Sequence, residues 1–184
     1  MKKGIIAVMA VTTLFFVSSC GKKGGLSEET KTAMQKFETD WKTAEDNMMK
    51  FGETMNSTFT DMNKMMDESE HMDMTKMKPA EKASCDSMMQ MCTTIKTSMD
   101  KMKSDYNTAM ETWKTDSQAY ADWKKKAQEE KMDDAAFKTE LDNNWVAKLA
   151  TWNESMAGWN EQLTGMQSAC KSTCDAMMHM SMPM

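Results

Sequence analysis

Apolar residues recur along the chain at alternating steps of three and four residues, and the pattern forms three long stretches. These stretches cover residues 34–65, 85–127 and 145–177. The repeat skips only position 58 in the first and position 116 in the second, and in the third it places Thr173 in the apolar seam. A repeat of 3.5 residues held over so many turns is typical of coiled-coil helices.

The residues between these stretches mark where the helices begin. Ser27 is a helix-capping residue type, Pro79 suits the first turn of a helix, and Asp133 with Asp134 suits another helix start. Short connections near 78 and 132 make neighbouring helices antiparallel. The pattern therefore predicts an all-α fold, a long antiparallel three-helix coiled-coil bundle running up, down and up. Its helices are expected at about 27–77, 80–131 and 134–178 within a bundle of residues 27–178.

An antiparallel arrangement also predicts which aromatic residues meet. Residues facing each other across a short connection lie at equal distances from it along the chain. This rule predicts three layers, each with one aromatic residue from every helix: Phe37 with Tyr120 and Trp145, Trp41 with Trp113 and Trp152, and Phe51 with Tyr106 and Trp159.

The first twenty residues have the organisation of an export signal. Lys2 and Lys3 precede an apolar segment at 4–17, which is too short to span a membrane and has the length of a signal-peptide core. The segment ends in Val17-Ser18-Ser19-Cys20, which resembles the lipobox of bacterial lipoproteins.

The lipobox resemblance implies a processing route and a location. It implies cleavage after residue 19, acylation of Cys20, and a tether at 20–26 that holds the protein to a membrane. Gly21 is not the Asp that retains some lipoproteins at the inner membrane, so the resemblance favours the outer membrane of a bacterial envelope over the inner one.

Composition narrows the range of functions. The net charge is −5 and all 23 basic residues are Lys, which disfavours nucleic acid as a partner. Two His leave little material for a hydrolytic triad, and we expect no enzyme. Beyond residue 20 the chain has one Ile, one Val and four Leu, so the core must come largely from the 24 Met of this part and the aromatic residues. Met fills irregular gaps well, and core packing explains those at seam positions.

The antiparallel register collects the unusual side chains at the end of the bundle near residue 78. The predicted cluster contains both His, every Cys beyond Cys20 and several Met. Its candidate metal ligands are Cys85, Cys92, Cys170, Cys174, His71, His179, Met177, Met178 and Met180. A Met-rich tail at 179–184 runs past the same end. Thiolate, thioether and imidazole ligands select Cu(I) over harder ions. The tail resembles the Met/His-rich segments of bacterial envelope copper-handling proteins, which implies that the cluster binds or buffers Cu(I).

A second interpretation needs no metal. An exported chain with an even number of Cys beyond the lipidation site favours disulfides, and the register pairs Cys85 with Cys174 and Cys92 with Cys170. The protein would then be a disulfide-bonded structural or interaction lipoprotein. The Met-rich tip of its bundle, at the end near residue 78, would bind a protein partner. A homodimer is plausible in either case, and both interpretations stay open at this point.

Overall fold

The computed structural model describes residues 25–70 and 74–181, and within them every regular element is helical. The elements are α1 (Glu28–Glu70), a 3-10 turn (Met74–Lys76), α2 (Pro79–Glu129), α3 (Asp134–Glu140), a π-helical turn (Leu141–Val146) and α4 (Ala147–Ser181). The all-α prediction is confirmed. The predicted export signal and lipobox lie outside the described residues.

Local hydrogen bonds explain where the helices begin. The Ser27 hydroxyl accepts from the backbone N–H of Thr30 at 3.2 Å, and Pro79 occupies the first turn of α2. Asp133 caps α3 by accepting from two backbone N–H groups of the first turn. These starts agree with the sequence prediction, but α1 ends at Glu70 rather than near 77. The 3-10 turn belongs to the connection that leads to Pro79.

The three predicted aromatic layers are confirmed. In each layer the ring of α2 contacts a ring of α1 and a ring of the third helical stretch. The centroid distances are 4.9 Å for Phe37–Tyr120 and 5.3 Å for Tyr120–Trp145, 4.3 Å for Trp41–Trp113 and 5.5 Å for Trp113–Trp152, and 5.8 Å for Phe51–Tyr106 and 6.2 Å for Tyr106–Trp159. Such aromatic pairs stabilise a core by more than the burial of their apolar surface alone provides.

Contacts between α1 and α2 run in opposite order along the two helices. The Trp41 indole N–H donates to Ser117 Oγ at 3.1 Å. Further along α1, the Met48 carbonyl oxygen accepts from the Tyr106 hydroxyl at 3.0 Å, and Tyr106 comes earlier on α2. Residues near the end of α1 are therefore the counterparts of residues near the start of α2.

Contacts between α1 and α4 run in the same order along both helices. Phe51 stacks on Trp159 with centroids 5.8 Å apart, and the Cys170 thiol donates to the Met62 carbonyl oxygen at 3.7 Å. The last third of α4 therefore lies against the last third of α1, at the end where α2 begins.

The positions that interrupt the apolar repeat are buried polar residues. Thr58, Asp116 and Thr173 are all buried within the bundle. Asp116 accepts from the Lys148 ammonium at 2.6 Å and from the Trp152 indole N–H at 3.1 Å, so its carboxylate is paired on both oxygens. A buried polar group is tolerated when it is hydrogen-bonded in this way, and it favours one register over others.

The π-helical turn explains how the third stretch begins. Its core positions Phe137, Leu141, Trp145 and Leu149 are all buried, although they follow at three successive steps of four residues. Each such step carries an α-helix about 40° past one full turn, so the four side chains would drift off one face. The wider π turn at Leu141–Val146 compensates for that drift and keeps them facing α1 and α2.

A close approach of two helices at Gly52 leads to the first prediction. A Cβ at this position would lie 2.6 Å from Tyr106 Cζ and closer still to its hydroxyl oxygen. The ring cannot move easily because it packs on Phe51 and Trp159 and donates to Met48. We expect Gly52→Ala to lower the free energy of unfolding by about 1–3 kcal/mol, measured by urea denaturation.

The matched control is Gly158→Ala on α4, where an added Cβ would meet nothing within 4 Å. There the better helix propensity of Ala should raise the free energy of unfolding by up to about 1 kcal/mol. Equal effects of the two substitutions would contradict the close approach at Gly52.

Candidate soft-metal site

Three helices bring sulfur atoms together at the end of the bundle near the connection between α1 and α2. Cys92 comes from α2, whereas Cys170 and Cys174 come from successive turns of α4, and all three side chains are at most 1 % exposed. The heptad pattern already placed Cys92 and Cys170 in the core, whereas it assigned Thr173 rather than Cys174 to the seam, and the structure buries both of these residues. Thiols pack there as small apolar groups.

The central feature is the pair of thiols on α4. The sulfur atoms of Cys170 and Cys174 are 4.0 Å apart. The Cys170 thiol also donates to the Met62 carbonyl oxygen, and Cys174 Sγ lies 3.7 Å from Ser69 Oγ. The pair is therefore enclosed by α1, and both thiols are held in position by polar atoms of that helix.

Three Met residues lie close to the pair along α1 and α4. Met62 and Met66 on α1 and Met177 on α4 are fully buried in the same core. Ser69 is buried with them, and its hydroxyl donates to the Met66 carbonyl oxygen at 2.8 Å. Both thiols are thus closed to solvent, in a part of the core that contains several buried Met residues.

Burial controls the ionisation of the pair. Burial, with a smaller contribution from the neighbouring Cys174 and Cys92 thiols, raises the pKa of Cys170 to about 12, because a negative charge there would be poorly solvated and would be repelled by a second one. Cys170 is consequently a protonated thiol at neutral pH. A raised pKa makes a thiol a poor nucleophile, since the thiolate is the reactive form. A soft metal ion would displace the proton on binding.

Cys85 has different neighbours. It is fully buried near the start of α2, and its sulfur lies 3.8 Å from the thioether sulfur of Met77 in the connection. Burial raises its pKa, with Asp86 and Glu81 adding to the effect. The sequence prediction joined Cys85 to the other three thiols in one cluster, whereas its nearest polar contacts lie in the connection.

The predicted disulfides are not present in the structure. All four described Cys are free thiols, so neither the Cys85–Cys174 nor the Cys92–Cys170 bridge is formed. The reason lies in the register: the sulfur packed against Cys170 is that of Cys174 on its own helix, and Cys174 faces Ser69 of α1 instead of Cys85.

The other predicted ligands are dispersed. Met177 is buried beside the thiol pair, Met180 is half-buried, and both Met178 and His179 are exposed near the end of α4. His71 and the last residues of the Met-rich tail, 182–184, lie outside the described residues. The structure therefore brings the thiols of Cys170 and Cys174 together and leaves the side chains of Met178 and His179 at the surface.

Two contacts of the site were missed by the sequence analysis. The heptad pattern assigned Met65 to the seam, but Met66 is the fully buried residue and Met65 is only half-buried. Ser69 was also overlooked. The spacing of Met62, Met66 and Ser69, which lie four and then three residues apart, could have revealed both residues in the sequence. The seam assigned from the sequence ran from Met62 to Met65 instead.

The spacing of the pair determines which ions it can hold. No group of three or more His, Cys, Asp or Glu among residues 25–70 and 74–181 is arranged to hold a metal ion. Two thiolates 4.0 Å apart, each about 2.3 Å from a soft ion, would subtend about 120° at it. That angle leaves a position for a third sulfur, and a thioether can fill it.

In comparisons with known proteins, no family model, curated protein or solved structure matches the chain. Among the described helices, none combines the length and the apolar character that a membrane span requires.

Proposed function

We propose that this chain is a non-enzymatic lipoprotein of a bacterial envelope that binds or buffers Cu(I) through a sulfur site at the far end of its helical bundle. The single observation that carries the proposal is the buried Cys170–Cys174 pair, with sulfur atoms 4.0 Å apart in a core that also contains the fully buried Met62, Met66 and Met177. Sulfur ligands in a water-poor site favour Cu(I) over harder ions.

The proposed architecture is an antiparallel three-helix coiled coil. It is supported by the opposite order of contacts along α1 and α2 and by the aromatic layers that join all three helical stretches. Ser69 follows the start of α1 by 41 residues, or about 60 Å along the helix. A tether at 20–26 would thus hold the sulfur site well away from the membrane.

The proposed anchor is an acylated Cys20. It rests on the likeness of Val17-Ser18-Ser19-Cys20 to a lipobox, and Gly21 favours the outer membrane. Incorporation of labelled palmitate that is lost in Cys20→Ser would support the anchor, and equal labelling of the variant would contradict it.

The test of the metal site is a Cu(I) titration of residues 21–184, reduced and free of oxygen, against a competing chelator. We expect the chain to take Cu(I) from the chelator, because two buried thiols whose sulfur atoms are 4.0 Å apart offer soft and preorganised ligands once they are deprotonated. The double variant Cys170→Ser/Cys174→Ser should weaken binding at this site at least 100-fold.

A second pair of variants tests the role of thioethers. Met66→Leu removes a thioether from the thiol pocket and should weaken the binding of Cu(I), whereas Met55→Leu removes an equally buried thioether elsewhere on α1 and should not. Circular dichroism melts should show that both variants remain folded. Chelator that keeps all the copper from the unaltered chain would overturn the metal site.

The exposed Met residues support a second candidate, a structural or interaction lipoprotein without metal. Met91 and Met178 are 53 % and 39 % exposed, on α2 and α4. Met adapts to partners of varied shape, so a surface of this kind suits a protein partner at the tip. Specific capture of an envelope protein by the unaltered chain, lost on Met91→Ser and independent of copper, would favour this candidate.

A further inference from the structure

A second sulfur cluster lies at the connection between α1 and α2. Cys85 Sγ and Met77 Sδ are 3.8 Å apart. Cys85 is fully buried, whereas Met77 is half-buried in the short segment that precedes Pro79. The pair joins the first turns of α2 to the connection, so the thiol is covered by a side chain outside the long helices.

Two more thioethers lie one turn further along α2. Met88 and Met89 follow Cys85 by three and four residues, which places them on the same face of the helix, and both are half-buried. Together with Met77 they place three thioethers within about one helical turn of the thiol or in contact with it. We call Met77, Cys85, Met88 and Met89 the corner cluster.

The charges around Cys85 differ from those around the α4 thiols. Glu81 and Asp86 lie close enough for their carboxylates to disfavour a thiolate at Cys85. The same negative field attracts a cation. The groups that act on Cys170 are the thiols of Cys174 and Cys92. Cys85 and Cys170 thus belong to two separate electrostatic environments.

We propose that the corner cluster is a second soft-metal site, which binds its own Cu(I) ion through the Cys85 thiolate and the Met77 thioether, with Met88 or Met89 as a third ligand. Sulfurs 3.8 Å apart that each lie about 2.3 Å from an ion subtend about 110° at it, an angle that suits three or four ligands. On binding, the Cys85 thiol releases its proton to solvent and the ion is neither oxidised nor reduced. This inference goes beyond the proposed function because it requires two ions per chain.

Native mass spectrometry of residues 21–184, reduced and loaded with Cu(I) without oxygen, tests the proposal. We expect two ions on the unaltered chain. Met77→Leu should weaken the binding of the second ion at least tenfold, and Cys85→Ser should abolish it. Met77 is half-buried, so its substitution should preserve the fold even if Cys85→Ser does not. The matched control is Met91→Leu, the same substitution at an exposed position of α2, which should retain both ions.

The outcomes separate this inference from the proposed function. One ion that is lost only in Cys170→Ser/Cys174→Ser would overturn the corner site and leave the proposed function standing. One ion that is lost only in Met77→Leu and Cys85→Ser would support the corner site and overturn the proposed one. Two ions that Met77→Leu binds as tightly as the unaltered chain would also overturn the corner site, and no bound ion would overturn both.

Discussion

Replacement of Trp113 by Ala is expected to lower the free energy of unfolding by about 3–5 kcal/mol. Trp113 is 1 % exposed at the centre of the bundle, where its ring stacks on Trp41 and meets Trp152 edge to face. Loss of the ring would leave a cavity that rigid neighbouring rings cannot close. Urea denaturation followed by circular dichroism measures the change in the free energy of unfolding. In a thermal melt, the same substitution should lower the Tm by about 10 °C in a chain of this size.

The control for this prediction is Trp113→Phe, which keeps a ring in the layer. The Trp113 indole N–H is buried and has no hydrogen-bond partner among the described residues, so its removal relieves an unsatisfied donor. We therefore expect Trp113→Phe to cost less than about 1.5 kcal/mol, because this gain offsets part of the lost volume. A Trp113→Ala variant within 1 kcal/mol of the unaltered chain would show that the layer repacks and would contradict the structure at this position.

The stability of the reduced protein is expected to fall steeply in alkali. The Cys170 thiol has a pKa of about 12 in the folded chain, against 9.0 as the ordinary value. Below pH 9 both folded and unfolded chains hold this proton, so its contribution to stability is fully present. Between pH 9 and 12 the unfolded chain releases the proton and the folded chain retains it, and the contribution is lost progressively. We expect a loss of about 2–4 kcal/mol from this thiol alone.

Cys170→Ala separates this effect from the titration of other groups. Urea denaturation of both chains with reductant at pH 8 and pH 11 should show the unaltered chain losing about 2–4 kcal/mol more than the variant. An identical loss in the two chains would mean that Cys170 ionises as readily in the folded chain as in the unfolded one. Its buried contact with Cys174 would then be incorrect.

Most of the helical organisation can be read from the chain. The 3.5-residue repeat predicts the long helices, since periodicity is a local property that any segment carries by itself. Ser27, Pro79 and Asp133 predict where helices start, because capping depends on a few adjacent residues. The aromatic layers follow from the lengths of the helices and the short connections between them, and the structure contains all three.

The details of the thiol site depend on packing across helices. Two examples are whether Met65 or Met66 enters the core, and whether Cys174 faces Cys85 or Ser69. Helix rotations smaller than the angle between successive residues decide both. The π turn at Leu141–Val146 is another such case, because it relieves a mismatch between the spacing of core residues on one helix and the grooves of two others. A seam pattern has a resolution of about one residue, whereas a sulfur contact of 4.0 Å demands far more, and only the combined packing of three helices provides it.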